Sequence, residues 1–251
     1  MKIGITEYGD AGLDFRWMFR LLSVDGAILI TKNMNQKFID AVTAAMKERP
    51  IIVHCTCTGW GGTILEPCVP DYKTQLDGLK KLIEAGFPAE RVVLRVDPTF
   101  PAKAGMDHVT EMLGYYHSLG LPEDKIRYRM SIVDEYNHVK ERYKALGISP
   151  LYSGFKSSAE QVNMVATTLM QYPYKFATCA EDYLATNYPE TFYIGGCISK
   201  EDLKIMGLPM DESMYENPQK RTGCHCLSCK TELLTPRVKC EHNCVYCFWK
   251  N

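Results

Sequence analysis

The chain has 251 residues, 46% of them hydrophobic, enough to bury the core of one large barrel-type domain or of two smaller ones. Its formal net charge of −1 excludes a global electrostatic footprint for nucleic acid or membrane, though not a local basic groove. There is no apolar run of about 18 residues and no long apolar segment at the N-terminus, so neither a transmembrane helix nor a signal peptide is expected. The expectation is a cytoplasmic protein whose 11 cysteines stay reduced, where cysteines bind metal more often than they pair.

Residues 2–7 read as a short strand broken by Asp10-Ala11-Gly12, and 14–22 carries helical spacing of apolar residues. GAILITK at 26–32 is a β-branched strand, followed by a helix over 36–46 and a strand over 50–58. A 3.6-residue period predicts a helix over 72–85 stopped at Gly86, then a strand over 92–97 closed by Pro98. A helix over 107–119 stopped by Gly120, a strand over 126–132, a helix over 137–146 stopped by Gly147, a helix over 159–172 and a strand over 175–179 follow. Strands alternating with helices imply βαβ units around parallel strands. About six such units favour an α/β fold of the partial parallel (β/α)6 TIM-like barrel type over a small open sheet. From Gly195 the rhythm is lost, while Gly, Pro, Lys and Cys become dense. Residues 1–194 are therefore read as the barrel and 195–251 as an irregular, cysteine-rich tail that closes its mouth.

Period-two alternation sorts each strand by face. Val53, Cys55 and Cys57 oppose His54, Thr56 and Thr58; Val92, Leu94 and Val96 oppose Arg95 and Asp97; Tyr128, Met130 and Ile132 oppose Arg127, Arg129 and Ser131. The apolar faces are expected to meet the outer helices, with Cys55 and Cys57 as buried small hydrophobes, and the polar faces to fill the lumen. Arginines there are costly unless anions meet them, either Asp97 and its like or a bound carboxylate or phosphate. Barrel enzymes work at the C-terminal ends of their strands, which here carry Lys32, Thr58, Asp97 and Ser131. The glycines of Thr58-Gly59-Trp60-Gly61-Gly62-Thr63 permit close backbone approach to a ligand, or form only a flexible turn.

The most informative stretch comes last. Cys240, Cys244 and Cys247 form C-x3-C-x2-C, a spacing at which three thiolates from one loop converge on one cubic iron–sulfur cluster. Such a cluster takes four ligands, so one iron is left for a cofactor or substrate. A zinc knuckle completed by His242, or by a second arm from Cys224, Cys226 and Cys229, is the competing reading. That second group, C-H-C-x2-C, stays open between an auxiliary iron–sulfur cluster with a further ligand such as Cys197, a zinc staple, and a partly inert set. The basic run Lys220, Arg221, Lys230, Arg237 and Lys239 is read as a solvated face or a phosphate-contacting rim.

The cysteine spacing, with Tyr246 before the third cysteine, resembles the signature of the radical S-adenosylmethionine (SAM) superfamily. ITK at 30–32, TCTGWGG with LEP at 56–67, and LRVDP with Pro101 at 94–101 resemble segments of spore photoproduct lyase and its relatives. The whole chain is similar to an uncharacterised bacterial family, a domain of unknown function, with such a cysteine cluster at its C-terminus. GCHC, KTELLT and KCEHNCVYCFWK are its most specific pieces. The resemblance implies a 4Fe–4S cluster on Cys240, Cys244 and Cys247, SAM on the open iron, and an electron donor such as flavodoxin or ferredoxin. Cofactor-side roles are implied for Lys32, as a ligand of the SAM carboxylate, and for Thr58, Gly61, Gly62, Arg95, Ser131 and Tyr246, the last on the adenine side. The superfamily motif usually follows the first strand; here it comes last, which implies a circularly permuted barrel. The hydrogen-donating cysteine of the lyase has no counterpart beyond the motif, where Phe248 and Trp249 stand. The expected function is SAM cleavage to a 5′-deoxyadenosyl radical and hydrogen abstraction from a nucleic-acid base or nucleotide, with a small metabolite still open. The alternative is a non-catalytic zinc or electron-transfer protein.

Overall fold

The computed structural model describes residues 1–210, 213–218, 220 and 222–249. Arg221 of the basic run lies outside them. The elements run β1 (Ile3–Ile5), α1 (Trp17–Arg20), β2 (Gly26–Thr31), α2 (Gln36–Ala45), β3 (Ile51–Thr56), α3 (Tyr72–Glu84), β4 (Val92–Thr99) and α4 (Lys103–Ser118). They continue with β5 (Arg127–Ile132), α5 (Asn137–Ala145), α6 (Ala159–Leu169), β6 (Phe176–Thr178), α7 (Asp182–Asn187), β7 (Phe192–Ile194), α8 (Lys200–Ile205) and β8 (Lys230–Glu232). The strands form one sheet in the order β7-β6-β5-β4-β3-β2-β1-β8, every pairing parallel.

The elements start and stop where local chemistry dictates. Asn35 caps α2 by accepting from the Phe38 amide, and Asp71 caps α3 by accepting from Lys73 and Thr74. Capping boxes, Ser158 with Gln161 and Ser199 with Asp202, open α6 and α8. The expected stops at Gly86, Gly120 and Gly147 hold, each with positive φ. The helix expected over 14–22 is shorter: α1 spans Trp17–Arg20 without a side-chain cap and gives way to a 3₁₀ turn at Leu21–Ser23. The helix expected from 107 begins at Lys103.

The expectation of about six units is exceeded. β7 and β8 are three-residue strands, FYI and KTE, too short to show a period. The segment expected to be irregular from Gly195 onward carries both α8 and β8. β8 extends the sheet beyond β1, pairing Ile3 with Lys230 and Ile5 with Glu232. Gly4, between them, faces Leu233 so closely that a Cβ would stand 2.6 Å from its Cδ1, which explains the glycine.

The faces sort as alternation requires. Val53, Cys55, Cys57, Leu94, Tyr128 and Met130 join the outer core with the helices. Ile3, Ile5, Ile28, Ile52 and Val93 face inward and form a second core with Ile198, Leu203, Met206 and Leu227. The tail therefore folds back into the lumen; Leu227 donates its amide to the Ile198 carbonyl at 3.1 Å. Leu227 is 1% exposed. Truncation to Leu227→Ala is expected to cost about 2–5 kcal/mol in urea unfolding, as for other buried leucines. A loss under about 0.5 kcal/mol would mark the segment as a frayed appendage instead.

Candidate functional site

The cysteine loop at 240–247 is held over the C-terminal ends of β1 to β3 by contacts from several elements. Asp10, just past β1, is buried, and its carboxylate accepts from the Gly12 amide (2.8 Å), the Thr31 hydroxyl (2.6 Å) and the Lys32 amide (2.6 Å). His242 Nε2 meets the same carboxylate at 2.8 Å, and His242 Nδ1 meets the Cys68 carbonyl at 3.1 Å. With acceptors on both sides, both ring nitrogens donate and the imidazole is cationic. Burial opposes that charge, but Asp10 outweighs it and raises the His242 pKa. The Val245 amide donates to the Leu65 carbonyl at 3.0 Å, and Arg142 donates to the Cys247 carbonyl. Residues from the β1, β2 and β3 exits and from α5 thus fix the loop.

Lys32 lies directly beneath it. Its ammonium donates to Glu66 Oε1 (2.7 Å) and to the Tyr246 hydroxyl (2.8 Å). Glu66, fully buried, also accepts from Tyr246 and from the Thr58 hydroxyl at 2.8 Å. Burial works against its ionised form, yet Lys32 and these donors hold the Glu66 pKa below its ordinary value. An ammonium has three donors, and among the described residues two of those of Lys32 are engaged. The Thr58 hydroxyl proton is already used on Glu66, so Thr58 orients that carboxylate. The glycine turn has a structural reason: a Cβ on Gly61 would stand 1.9 Å from the Pro70 carbonyl oxygen, whereas Gly62 faces open space. Tyr246 packs edge-on against Phe100 (5.1 Å), Phe100 against Trp60 (5.5 Å), and Trp60 against His108 (4.0 Å), giving an aromatic wall beside the loop.

Arg95 and Ser131 stand apart from this group. Both bond Asp97, and β3 separates them from Lys32. Arg127 pairs with Asp202 at 2.7 Å, and Arg129 approaches the same carboxylate at 3.7 Å, so carboxylates meet part of the lumen's charge. His54, fully buried among them, has its pKa lowered first by desolvation and then by Arg129, Arg95 and Arg127. In the second cysteine group, Cys226 lies with Cys197 rather than on a separate arm: the Cys197 amide donates to Cys226 Sγ at 3.1 Å.

The sequence reading missed Asp10 and Glu66, and considered His242 only as a zinc ligand. Glu66 stood inside the resembling LEP segment; Asp10 carried no local signal beyond a turn. His242 has both nitrogens engaged, with Asp10 and the Cys68 carbonyl. Among the described residues, no three His, Cys, Asp or Glu side chains gather around a point one metal ion could occupy. A cubic cluster needs a different arrangement, one thiolate on each of several irons. The loop's donors suit that group: three unpaired thiols, with the Lys32 charge beside Cys244. Burial pushes Cys240 up to about 11 and Cys244 up to about 12, so ligation there would release protons.

Among the described residues no helix is long and apolar enough to cross a membrane. A family model described as Domain of unknown function (DUF1848) matches residues 16–249. No curated protein matches the chain. Among solved structures, a D-tagatose 3-epimerase-like protein is similar at 13% identity and a TM-score of 0.29, with 55% of each chain covered, so the chain spans about half of that protein's length. Triosephosphate isomerase from Bartonella henselae is similar at 9% identity and a TM-score of 0.32, covering 78% of this chain and 91% of that one.

The His54 environment fixes a pH dependence. Below about pH 6.5 the unfolded chain takes up a proton that the folded chain refuses, so this contribution to stability is lost as pH falls. Urea unfolding from about pH 5 to 7.5 should show wild-type stability rising with a slope that exceeds that of His54→Gln by up to ~1.4 kcal/mol per pH unit, levelling above about 6.5. Equal slopes would mean that His54 binds its proton alike in the folded and unfolded chains, and a slope below that of His54→Gln that it is charged in the folded protein.

Proposed function

The chain belongs to the family described as Domain of unknown function (DUF1848), and from its geometry we propose that it is a radical SAM enzyme. Cys240, Cys244 and Cys247 would hold a 4Fe–4S cluster. The observation that carries the reading is the seating of this C-x3-C-x2-C loop on Lys32 and Glu66, at the strand ends where barrel enzymes do their chemistry. The sheet order adds support. Read as β8-β1-β2-β3-β4-β5-β6-β7, it starts at an edge strand that is followed by the cysteine loop, as a circularly permuted member of the superfamily would.

When bound, the cluster and SAM would supply a 5′-deoxyadenosyl radical for hydrogen abstraction; the protein's work is to bind, orient and shield them. The third donor of Lys32 would meet the SAM carboxylate, with Glu66 and Tyr246 fixing its direction. Thr58 would act through Glu66. The aromatic wall of Tyr246, Phe100 and Trp60 offers stacking surface for adenine and for a base-like substrate. Arg95 and Ser131 would contact the substrate side, across β3 from Lys32. A flavodoxin or ferredoxin would deliver the electron, and the substrate class favoured is a nucleic-acid base or nucleotide.

Anaerobic reconstitution should give broad absorbance in the visible blue and, with dithionite and SAM, 5′-deoxyadenosine. Cys244→Ala should abolish that product. Lys32→Ala should weaken SAM binding about 10-fold or more, the size of one charge-assisted hydrogen bond. A fully reconstituted sample that binds SAM but forms no 5′-deoxyadenosine, or one that carries zinc in place of iron, would overturn the reading.

A further inference from the structure

We propose that the cavity inside β5, β6 and β7 binds the anionic end of a small molecule, a carboxylate or phosphate group, with Arg129 as its anchor. This goes beyond the function proposed above and stands without it. The cavity follows from the register of the strands. Arg129 of β5, Ala177 of β6 and Tyr193 of β7 stand side by side across the sheet. All three line the cavity, so they share the lumen face. The methyl group of Ala177, set between two long side chains, leaves a hollow there. Ser199, Lys200 and His225 help to enclose it, as a space of about 180 Å³. Sites for drug-sized ligands measure roughly 300–1,000 Å³, so this one suits a small acid or the anionic end of a larger molecule.

Arg129 is short of counter-charge where its neighbours are not. Arg95 has Asp97, and Arg127 has Asp202 at 2.7 Å. Arg129, 2% exposed, reaches that same Asp202 only at 3.7 Å, beyond hydrogen-bonding distance. Its other contacts are long too, 3.4 Å to the Cys197 carbonyl and 3.5 Å to His54 Nε2. Arg129 Nε has no hydrogen-bond partner among the described residues. Two guanidinium groups thus share one buried carboxylate. The carboxylates at the cavity rim do not make up the difference. Glu201 accepts from the Tyr193 hydroxyl at 3.4 Å and lies 3.8 Å from Arg127. Glu216 lies 4.0 Å from Lys200 and 3.5 Å from His225. A buried guanidinium calls for an anion, and its planar fork matches the oxygens of a carboxylate or a phosphate.

Isothermal titration calorimetry on the full-length protein, in chloride buffer of constant ionic strength, tests this with inorganic phosphate and with malonate as probes. Saturable one-to-one binding of either is expected, and the tighter probe identifies the group. Arg129→Leu should weaken it about 10-fold or more, the size of a charge-assisted hydrogen bond. Lys200→Glu, which reverses one charge at the rim, should weaken it about 3- to 10-fold. A merely structural arginine is separated by urea unfolding. Without either probe Arg129→Leu should unfold no earlier than wild type, and added probe should stabilise wild type alone. No binding of either probe above chloride, or equal binding by Arg129→Leu, would overturn the proposal. Binding lost by Lys32→Ala but kept by Arg129→Leu would move the anion to the mouth and overturn it too. So would binding that appears only in Cys197→Ser, which would make that thiol the counter-charge. If Arg129→Leu does not fold, Lys200→Glu decides alone, since the Lys200 side chain is 65% exposed, and unchanged binding would overturn the proposal. None of these measurements reads SAM cleavage, so failure here leaves the proposed function standing.

Discussion

The buried pair between Asp10 and His242 is the constraint on which the candidate site depends. It joins groups 232 residues apart, with side-chain exposures of 5% and 3%. A buried ion pair is weak evidence for stability, because desolvation opposes the attraction, but removal of one partner strands the other. Its value here is positional. One carboxylate receives the histidine of the cysteine loop, the hydroxyl of Thr31 and the backbone of Lys32. The thiol donors and the lysine beneath them are therefore aligned to a common reference.

Two polar regions follow from that alignment. At the mouth, Glu66 is satisfied from three directions, and its neighbours keep their orientation because each shares it. In the lumen, carboxylates meet the arginines only in part, leaving N–H groups unmatched. The tail serves both regions. Its return segment contributes Cys224, Cys226 and Leu227 to the lumen, β8 extends the sheet, and the last loop covers the mouth.

Alternation and 3.6-residue spacing made β1 to β6 and the helices between them legible, but not α7 after β6, along with the outward placement of Cys55 and Cys57. Local chemistry made the stops at Gly86, Gly120 and Gly147 legible too. β7 and β8 were hidden because three residues carry no period, and KTE has no apolar face to declare it a strand. α8 did have a local signal, the Ser199-x-x-Asp202 capping box, inside a stretch whose glycines and cysteines suggested disorder of pattern. Cys240, Cys244 and Cys247 announce themselves by spacing. The grouping of Cys197 with Cys226, like that of Asp10 with His242, is created by the fold, and no short window contains it.

The placement of β8 beside β1 has a consequence for biogenesis. During synthesis β1 leaves the ribosome long before its outer neighbour β8, which lies far along the chain. Until then β1 presents an open row of backbone donors and acceptors, a template for intermolecular pairing. Sealing that edge and delivering Cys240, Cys244 and Cys247 are one event, so the mouth takes its final form only once β8 has been made.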